Sequence, residues 1–206
     1  MPVITISRQY GSGGRTLGKR IAAKLGYYYA DEDIIERTAA ELNRSADPDK
    51  IIKDGSGDKL QNYISKLKPF QRSLMERPLT DKEGYIDGYK YVELLYSIIG
   101  RIAAEGDAVI IGRGGQFILE NSDDAYHLFL IADEKYRVKR LEYNYNLSNK
   151  EAVKIVKRME KRRANLYSYF GRKDYDDLTI YHLVLNMSML SMDKAEELVC
   201  ELINGS

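Results

Sequence analysis

The sequence predicts an α/β protein, a three-layer sandwich in which a parallel sheet of about five strands carries helices on both faces. Three observations predict it. Short apolar, β-branched runs alternate with amphipathic helical stretches through the 206 residues. Every connection between the apolar runs is long enough for a crossover. A glycine-rich turn stands between the first apolar run and the first helix.

That first unit organises the rest. Val3, Ile4 and Ile6 have the pattern of a buried strand, and the chain then turns through Gly11, Ser12, Gly13 and Gly14. Leu17, Ile21, Ala22 and Leu25 share one helical face, and Gly26 stops the helix as a C′ glycine. Strand, turn and helix in this order converge backbone N–H groups and the positive end of a helix dipole on one point. Such a point binds anions, most often phosphate. No lysine stands in the turn, so it departs from the Walker pattern G-x-x-x-x-G-K-[ST]. If Arg15 fills the lysine slot, Thr16 fills the hydroxyl slot and Gln9 replaces the opening glycine. The other register follows the G-K-G-T loop of nucleoside monophosphate kinases. There Arg8 replaces the opening glycine, Gly14 the lysine and Arg15 the following glycine, while Thr16 matches. We prefer this second register because it runs to Leu25-Gly26 without a gap. Ser7-Arg8-Gln9-Tyr10-Gly11-Ser12-Gly13-Gly14 resembles the loop of the cytidylate kinase-like family, S-R-Q-x-G-S-G-G, throughout.

Tyr27–Ala30 reads as the second strand, and an amphipathic helix follows through Ile34, Ile35, Thr38, Ala39 and Leu42. Asp31 or Asp33 caps it; the resemblance implies instead, or as well, that Asp31 begins the segment facing the acceptor nucleotide. Residues 44–88 are rich in turn signals, with a weak helix at Lys59–Leu67, and Arg72 and Arg77 there read as solvated. By resemblance a loop-rich insertion here is the acceptor lobe; the residues alone read equally as a loose excursion. A helix occupies roughly Tyr91–Glu105, and Ala108-Val109-Ile110-Ile111 is a central parallel strand ending at Gly112-Arg113-Gly114. Open α/β sheets place ligands at such strand ends. Cytidylate kinases carry G-R-D there, with both charged side chains turned to the acceptor, so Arg113 is an acceptor ligand by resemblance and Gly114 lacks the carboxylate. Restoring it as Gly114→Asp is expected to raise preference for CMP if the loop tolerates a Cβ. A salt bridge across the loop is the alternative role for Arg113.

Tyr126–Ile131 is the next strand, in which His127 reads as a satisfied structural histidine. Asp133 starts a helix carrying Arg137 and Arg140, which match an arginine pair at the family's lid base. Ser148-Asn149-Lys150-Glu151 is a capping box, and the helix behind it buries Ala152, Ile155, Val156 and Met159. Its Arg158, Arg162 and Arg163 are either a solvated charged face or, by resemblance, lid arginines; Glu160 is the acid nearest the place of the family's lid aspartate. Asp174–Thr179 is turn-like, Ile180–Leu185 the last strand, and Ser191 caps a final helix.

A net charge of +1 excludes a general polyanion binder, and no run is long enough for a membrane span, so neither nucleic-acid nor membrane partners are expected. The one cysteine, Cys200, reads as a buried thiol in a reducing compartment, and a cytoplasmic location is expected. The oligomeric state is left open. The resemblance implies a single P-loop kinase domain, with a core at about 1–35 and 90–206, an acceptor lobe at about 36–90 and a lid at about 141–175. It also implies ATP and Mg²⁺ as cofactors and a nucleoside monophosphate or similar small acceptor. In that reading Arg8, Gly11, Ser12, Gly13, Gly14, Arg15 and Thr16 hold the donor, and Thr16 also helps place Mg²⁺. Asp31, Arg113 and Arg163 meet the acceptor, while Arg15, Arg137, Arg158 and Arg162 act on the transferring group. Two other classes stay open. One is a nucleotide sensor of the same fold, suggested by the missing lysine. The other is a dinucleotide-dependent oxidoreductase, suggested by Gly11-Ser12-Gly13 and an acid at Asp31, although Thr16 takes the third glycine's place.

Overall fold

The computed structural model describes residues 2–44, 88–172 and 177–205. Among them a five-stranded sheet runs in the order β2-β3-β1-β4-β5, with every neighbouring pair parallel. The strands are β1 (Val3–Arg8), β2 (Tyr28–Ala30), β3 (Ala108–Ile111), β4 (Ala125–Ile131) and β5 (Leu183–Asn186). The helices are α1 (Gly14–Leu25), α2 (Glu32–Arg44), α3 (Gly88–Glu105), α4 (Gly115–Ile118), α5 (Glu134–Tyr145), α6 (Asn149–Ser168) and α7 (Met192–Asn204). The predicted acceptor lobe falls mostly on residues 45–87, so the weak helix and Arg72 and Arg77 lie outside the described residues, as do residues 173–176.

The two-residue period of a strand sends β3 side chains to opposite faces, and both faces are covered. Ala108 and Ile110 join Leu95, Ile98 and Ile99 of α3 and Ile35 of α2 in one core layer. Val109 and Ile111 join Leu17 and Ile21 of α1 and Ala195 and Val199 of α7 in the other. The four β3 side chains are fully buried, each larger one contributing roughly 1.5–3 kcal/mol of transfer free energy. A third cluster, Val138, Leu141, Ala152 and Val156, joins α5 to α6. Cys200 is buried, as its apolar surroundings predict.

Local signals in the sequence produce the expected ends. Gly26 closes α1 in the left-handed conformation, Asp133 and Ser191 cap α5 and α7, and Ser148 with Glu151 forms the capping box of α6. The last strand is displaced from its expected position at Ile180–Leu185. Asp177 Oδ1 accepts from Thr179 N at 2.9 Å and Thr179 Oγ1 at 2.7 Å, which closes a 3₁₀ turn over Leu178–Ile180. The register with β4 therefore begins at Leu183, next to the His182 N–H bond to His127 O at 2.8 Å. His127 is buried and structural: its Nδ1 lies 2.7 Å from Thr5 Oγ1, and its backbone N–H donates to His182 Nδ1 at 3.0 Å.

Candidate active site

At the carboxyl ends of β1 and β3 a cavity of about 420 Å³ opens between the glycine-rich turn, α2 and the α5–α6 pair. Its floor is the turn. Gly11 and Gly13 have φ of +91° and +102°, values that glycine alone adopts without strain. They bend the chain so that α1 begins at Gly14 pointing its N-terminus into the cavity. The first internal bond of α1 is Leu17 N–H to Gly13 O at 3.0 Å. The N–H groups of Gly13, Gly14, Arg15 and Thr16 thus have no partner among the described residues and are available to an anion. Ser12 does not join them. It is fully buried and its hydroxyl donates to Gln9 O at 2.8 Å, so it shapes the turn from within.

Two arginines border this floor. Arg8 leaves the end of β1, lies against the backbone of Gly112 and is ion-paired with Glu32. Arg15 pairs with Glu32 at 2.9 Å and Asp33 at 2.8 Å. Burial works against the charge on Glu32, but Arg8, Arg113 and Arg15 outweigh it and hold its carboxyl well below the usual range. Burial likewise opposes the charge on Arg15, and Glu32 and Asp33 overcome it, raising its pKa.

Arg113, Arg158 and Arg162 line the same cavity. Arg113 stands at φ +55° between two glycines of positive φ, a conformation that costs a non-glycine residue about 1 kcal/mol and is tolerated where it aims a side chain. It aims at Glu36, with which it is ion-paired, and Glu36 also meets Arg162 at 3.3 Å. The Arg113 Nε is buried with no hydrogen-bond partner among the described residues. Nearby, burial pushes the Tyr91 hydroxyl up to about 12, against the pull of Arg113. Arg158 lines the cavity and makes no ion pair with a described residue. Arg140 reaches down from α5 and donates to Thr16 Oγ1 at 2.8 Å.

The predicted residues therefore divide. Arg8, Gly11, Gly13, Gly14, Arg15, Thr16, Arg113, Arg158 and Arg162 share the cavity wall. Asp31 does not line it: its Oδ1 accepts from the Asp33 and Ile34 N–H groups at 3.1 Å each, so the carboxylate is spent capping α2. Arg137 parts from Arg140 and turns under the loop, donating to Ala132 O at 3.0 Å and pairing with Glu160 at 3.3 Å. Arg163 also turns inward, to Glu160 at 2.9 Å and over the ring of Phe129. Glu32 and Glu36 line the cavity as well, which the sequence does not predict. Their spacing of four puts them on one face of α2, the face that follows Asp31, and that periodicity was the available signal.

A magnesium ion fits this donor set in a limited way. Thr16 offers a hydroxyl, already accepting from Arg140, while Glu32, Asp33 and Glu36 are engaged by arginines. No group of three potential ligands stands together among the described residues. Such a site suits an ion carried by nucleotide phosphates and water, as magnesium usually is, with Thr16 as the protein's donor.

A parallel sheet in this order, with a glycine-rich turn between β1 and α1, defines an α/β protein of the P-loop kinase class. The chain belongs to the cytidylate kinase-like family, whose sequence model matches residues 3–189. It is 28% identical to a cytidylate kinase of Pyrococcus horikoshii over 190 residues, covering 92% of this chain and 81% of that protein. It is 26% identical to a cytidylate kinase of Methanocorpusculum labreanum over 191 residues, covering 93% and 90%. Among solved structures it resembles an uncharacterized protein of Eubacterium ventriosum with a TM-score of 0.70 at 17% identity, covering 100% of this chain and 99% of that one. A shikimate kinase of Bacteroides thetaiotaomicron matches with a TM-score of 0.52 at 14% identity, covering 98% of each. These structural likenesses speak to the fold. Family and fold together support a nucleotide-dependent phosphotransferase. No described helix is long and apolar enough to cross a membrane.

Proposed function

We propose that the chain moves the γ-phosphoryl group of ATP to a nucleoside monophosphate or a similar small phosphorylated acceptor. One observation carries this reading: unpaired amides at the start of α1 and a cluster of arginines line a single cavity. An anionic donor and an anionic acceptor each find a site there. An acceptor phosphate needs no general base, so positioning and neutralisation of charge carry the chemistry. The amides of Gly13–Thr16 take the donor's phosphates, and Arg8 and Arg15 supply the charge that a loop lysine otherwise gives. Arg113 takes the acceptor phosphate with the donor capacity that Glu36 leaves, and Arg158 and Arg162 gather over the transferring group. Thr16 would help hold a magnesium ion brought by the triphosphate, and the ion would supply charge shielding there. The acceptor lobe over about 36–90 and the lid over about 141–175 belong to the same proposal, as does CMP or a relative of it as acceptor. Specificity constants for CMP, dCMP, UMP and AMP with ATP and Mg²⁺ test it. The missing aspartate at Gly114 predicts that CMP leads the others by less than about a hundredfold, roughly 2.7 kcal/mol.

One observation favours a second reading. Arg8 and Arg15, the two replacements for the lysine, are both held by Glu32. A loop whose cations are already neutralised suits a nucleotide sensor that binds without turnover, and acceptor-dependent formation of ADP decides between the two. The oxidoreductase reading loses its ribose ligand, because Asp31 caps α2.

A further inference from the structure

One carboxylate ties the phosphate-binding turn to both helices behind it. Glu160 Oε1, on α6, accepts the Tyr10 N–H at 2.6 Å, just before the first glycine of the turn. The same oxygen accepts from Arg137 Nη1 of α5 at 3.3 Å. Oε2 takes Arg163 Nε at 3.0 Å and its Nη2 at 2.9 Å. Arg137 is itself anchored to Ala132 O, beyond the end of β4. The turn has no slack against this support: a Cβ on Gly11 would lie 2.9 Å from Leu141 Cδ1 and 3.0 Å from both Arg137 Cβ and Arg137 O.

We infer that Glu160 is a positioning residue, which sets the phosphate-binding turn through Tyr10 and Arg137 and does not itself touch nucleotide. Both of its oxygens are filled by donors from the turn, α5 and α6. A carboxylate offered to the donor's phosphates would instead oppose their binding. Without a loop lysine, affinity for a triphosphate rests more heavily on the backbone amides, so a small misplacement of the turn weakens binding. This rests on reading Gly11–Thr16 as the donor site.

The oxygen assignments separate position from charge. Glu160→Gln keeps an oxygen for Tyr10 and Arg137 but turns an NH2 donor toward Arg163, which keeps its place over Phe129 and Tyr167, whereas Glu160→Ala loses every contact. The test compares the full-length natural protein, E160Q and E160A, each checked for an intact fold by circular dichroism. It measures ATP–Mg²⁺ affinity by calorimetry and Tyr10 amide exchange by NMR without nucleotide. We expect Tyr10 to be protected in the natural protein and E160Q but not in E160A. We expect E160Q to bind ATP within about threefold of the natural protein and E160A to bind at least tenfold more weakly. Where turnover is measurable, the E160A loss falls in the ATP KM more than in kcat. E160Q as weak as E160A would show that charge, not position, is at work, and would overturn the inference. So would unchanged ATP affinity in E160A, or a Tyr10 amide that exchanges as fast as that of Gly13 in the natural protein. If the natural protein binds no ATP, the donor-site reading itself falls, and the exchange data alone then report whether Glu160 braces the turn.

Discussion

Phe170 lies directly against Gly114: a Cβ built on Gly114 falls 2.5 Å from Phe170 Cζ and 2.7 Å from its Cε2, at a φ of +75°. The ring cannot simply swing aside, because it also packs on Phe117 and Tyr96 with centroids 5.7 and 5.9 Å away. Gly114 is thus favoured by its neighbours, and the condition for Gly114→Asp to raise CMP preference, a loop that tolerates a Cβ, is not met. Gly114→Ala should cost about 2–4 kcal/mol from overpacking and left-handed strain, read in urea denaturation, and Gly114→Asp should be no milder. A loss below 0.5 kcal/mol for Gly114→Ala would mean that the Phe170 contact is not maintained in solution.

Gly13 stands at φ +102°, and a Cβ there would meet Met192 Cε at 3.1 Å and the Arg140 guanidinium carbon at 3.4 Å. Gly13→Ala should lose about 1–2 kcal/mol of stability. It should also weaken ATP binding by at least tenfold in calorimetry, because the turn then opens away from the amide geometry. Unchanged binding would remove the phosphate turn from the account.

Arg158 and Arg162 differ in their present engagements, and their variants should differ accordingly. Arg162 meets Glu36, whereas Arg158 has no described ion-pair partner. Replacing both with alanine should lower kcat by about 10²–10³ with ATP affinity changed less than about threefold, since their contacts form mainly in the transition state. Arg158→Ala alone should leave stability within about 0.5 kcal/mol of the natural protein. Equal losses in binding and turnover would make them ground-state ligands, and no loss would return them to a solvated face.

Stability should fall on mild acidification, and His127 gives the sign. Burial, reinforced by His182, lowers its pKa from the ordinary 6.5 to about 4. Between those values the unfolded chain binds the proton and the fold does not, so stability rises with pH. This contribution is complete above 6.5 and lost by about pH 4, with a size of roughly 3 kcal/mol. Glu32, held below its usual range, adds a loss of the same sign lower down, as pH falls through the carboxylate range. Urea denaturation at pH 7 and pH 5 should show the His127 part, and His127→Gln should flatten that difference while lowering stability at pH 7.

The legible features of the fold were those written in local periodicity. Apolar runs at Val3–Ile6 and Ala108–Ile111, the C′ glycine at 26 and the capping box at Ser148 each act through near neighbours. The glycine-rich turn is legible for the same reason, since its positive φ values demand glycine at Gly11 and Gly13. Side-chain destinations across the fold were not. Arg137 and Arg140 sit on one helix with the same spacing to the family's pair, yet Arg140 faces Thr16 and Arg137 faces Glu160. Only the packing of α6 against the turn decides that. The same holds for Asp31, whose side chain could cap a helix or face a ligand until Ile34 N claims it, and for Glu32 and Glu36, whose arginine partners come from β1, α1, α6 and the loop after β3.

The central claim is that a triphosphate and a phosphorylated acceptor meet in one cavity and exchange a phosphoryl group. Incubation with γ-labelled ATP, Mg²⁺ and each of a panel of nucleoside monophosphates measures it directly, with the label followed by chromatography. The account predicts label on an acceptor's phosphate in amounts equal to the ADP formed. Label released only as inorganic phosphate, or ADP absent with ATP bound, would contradict it.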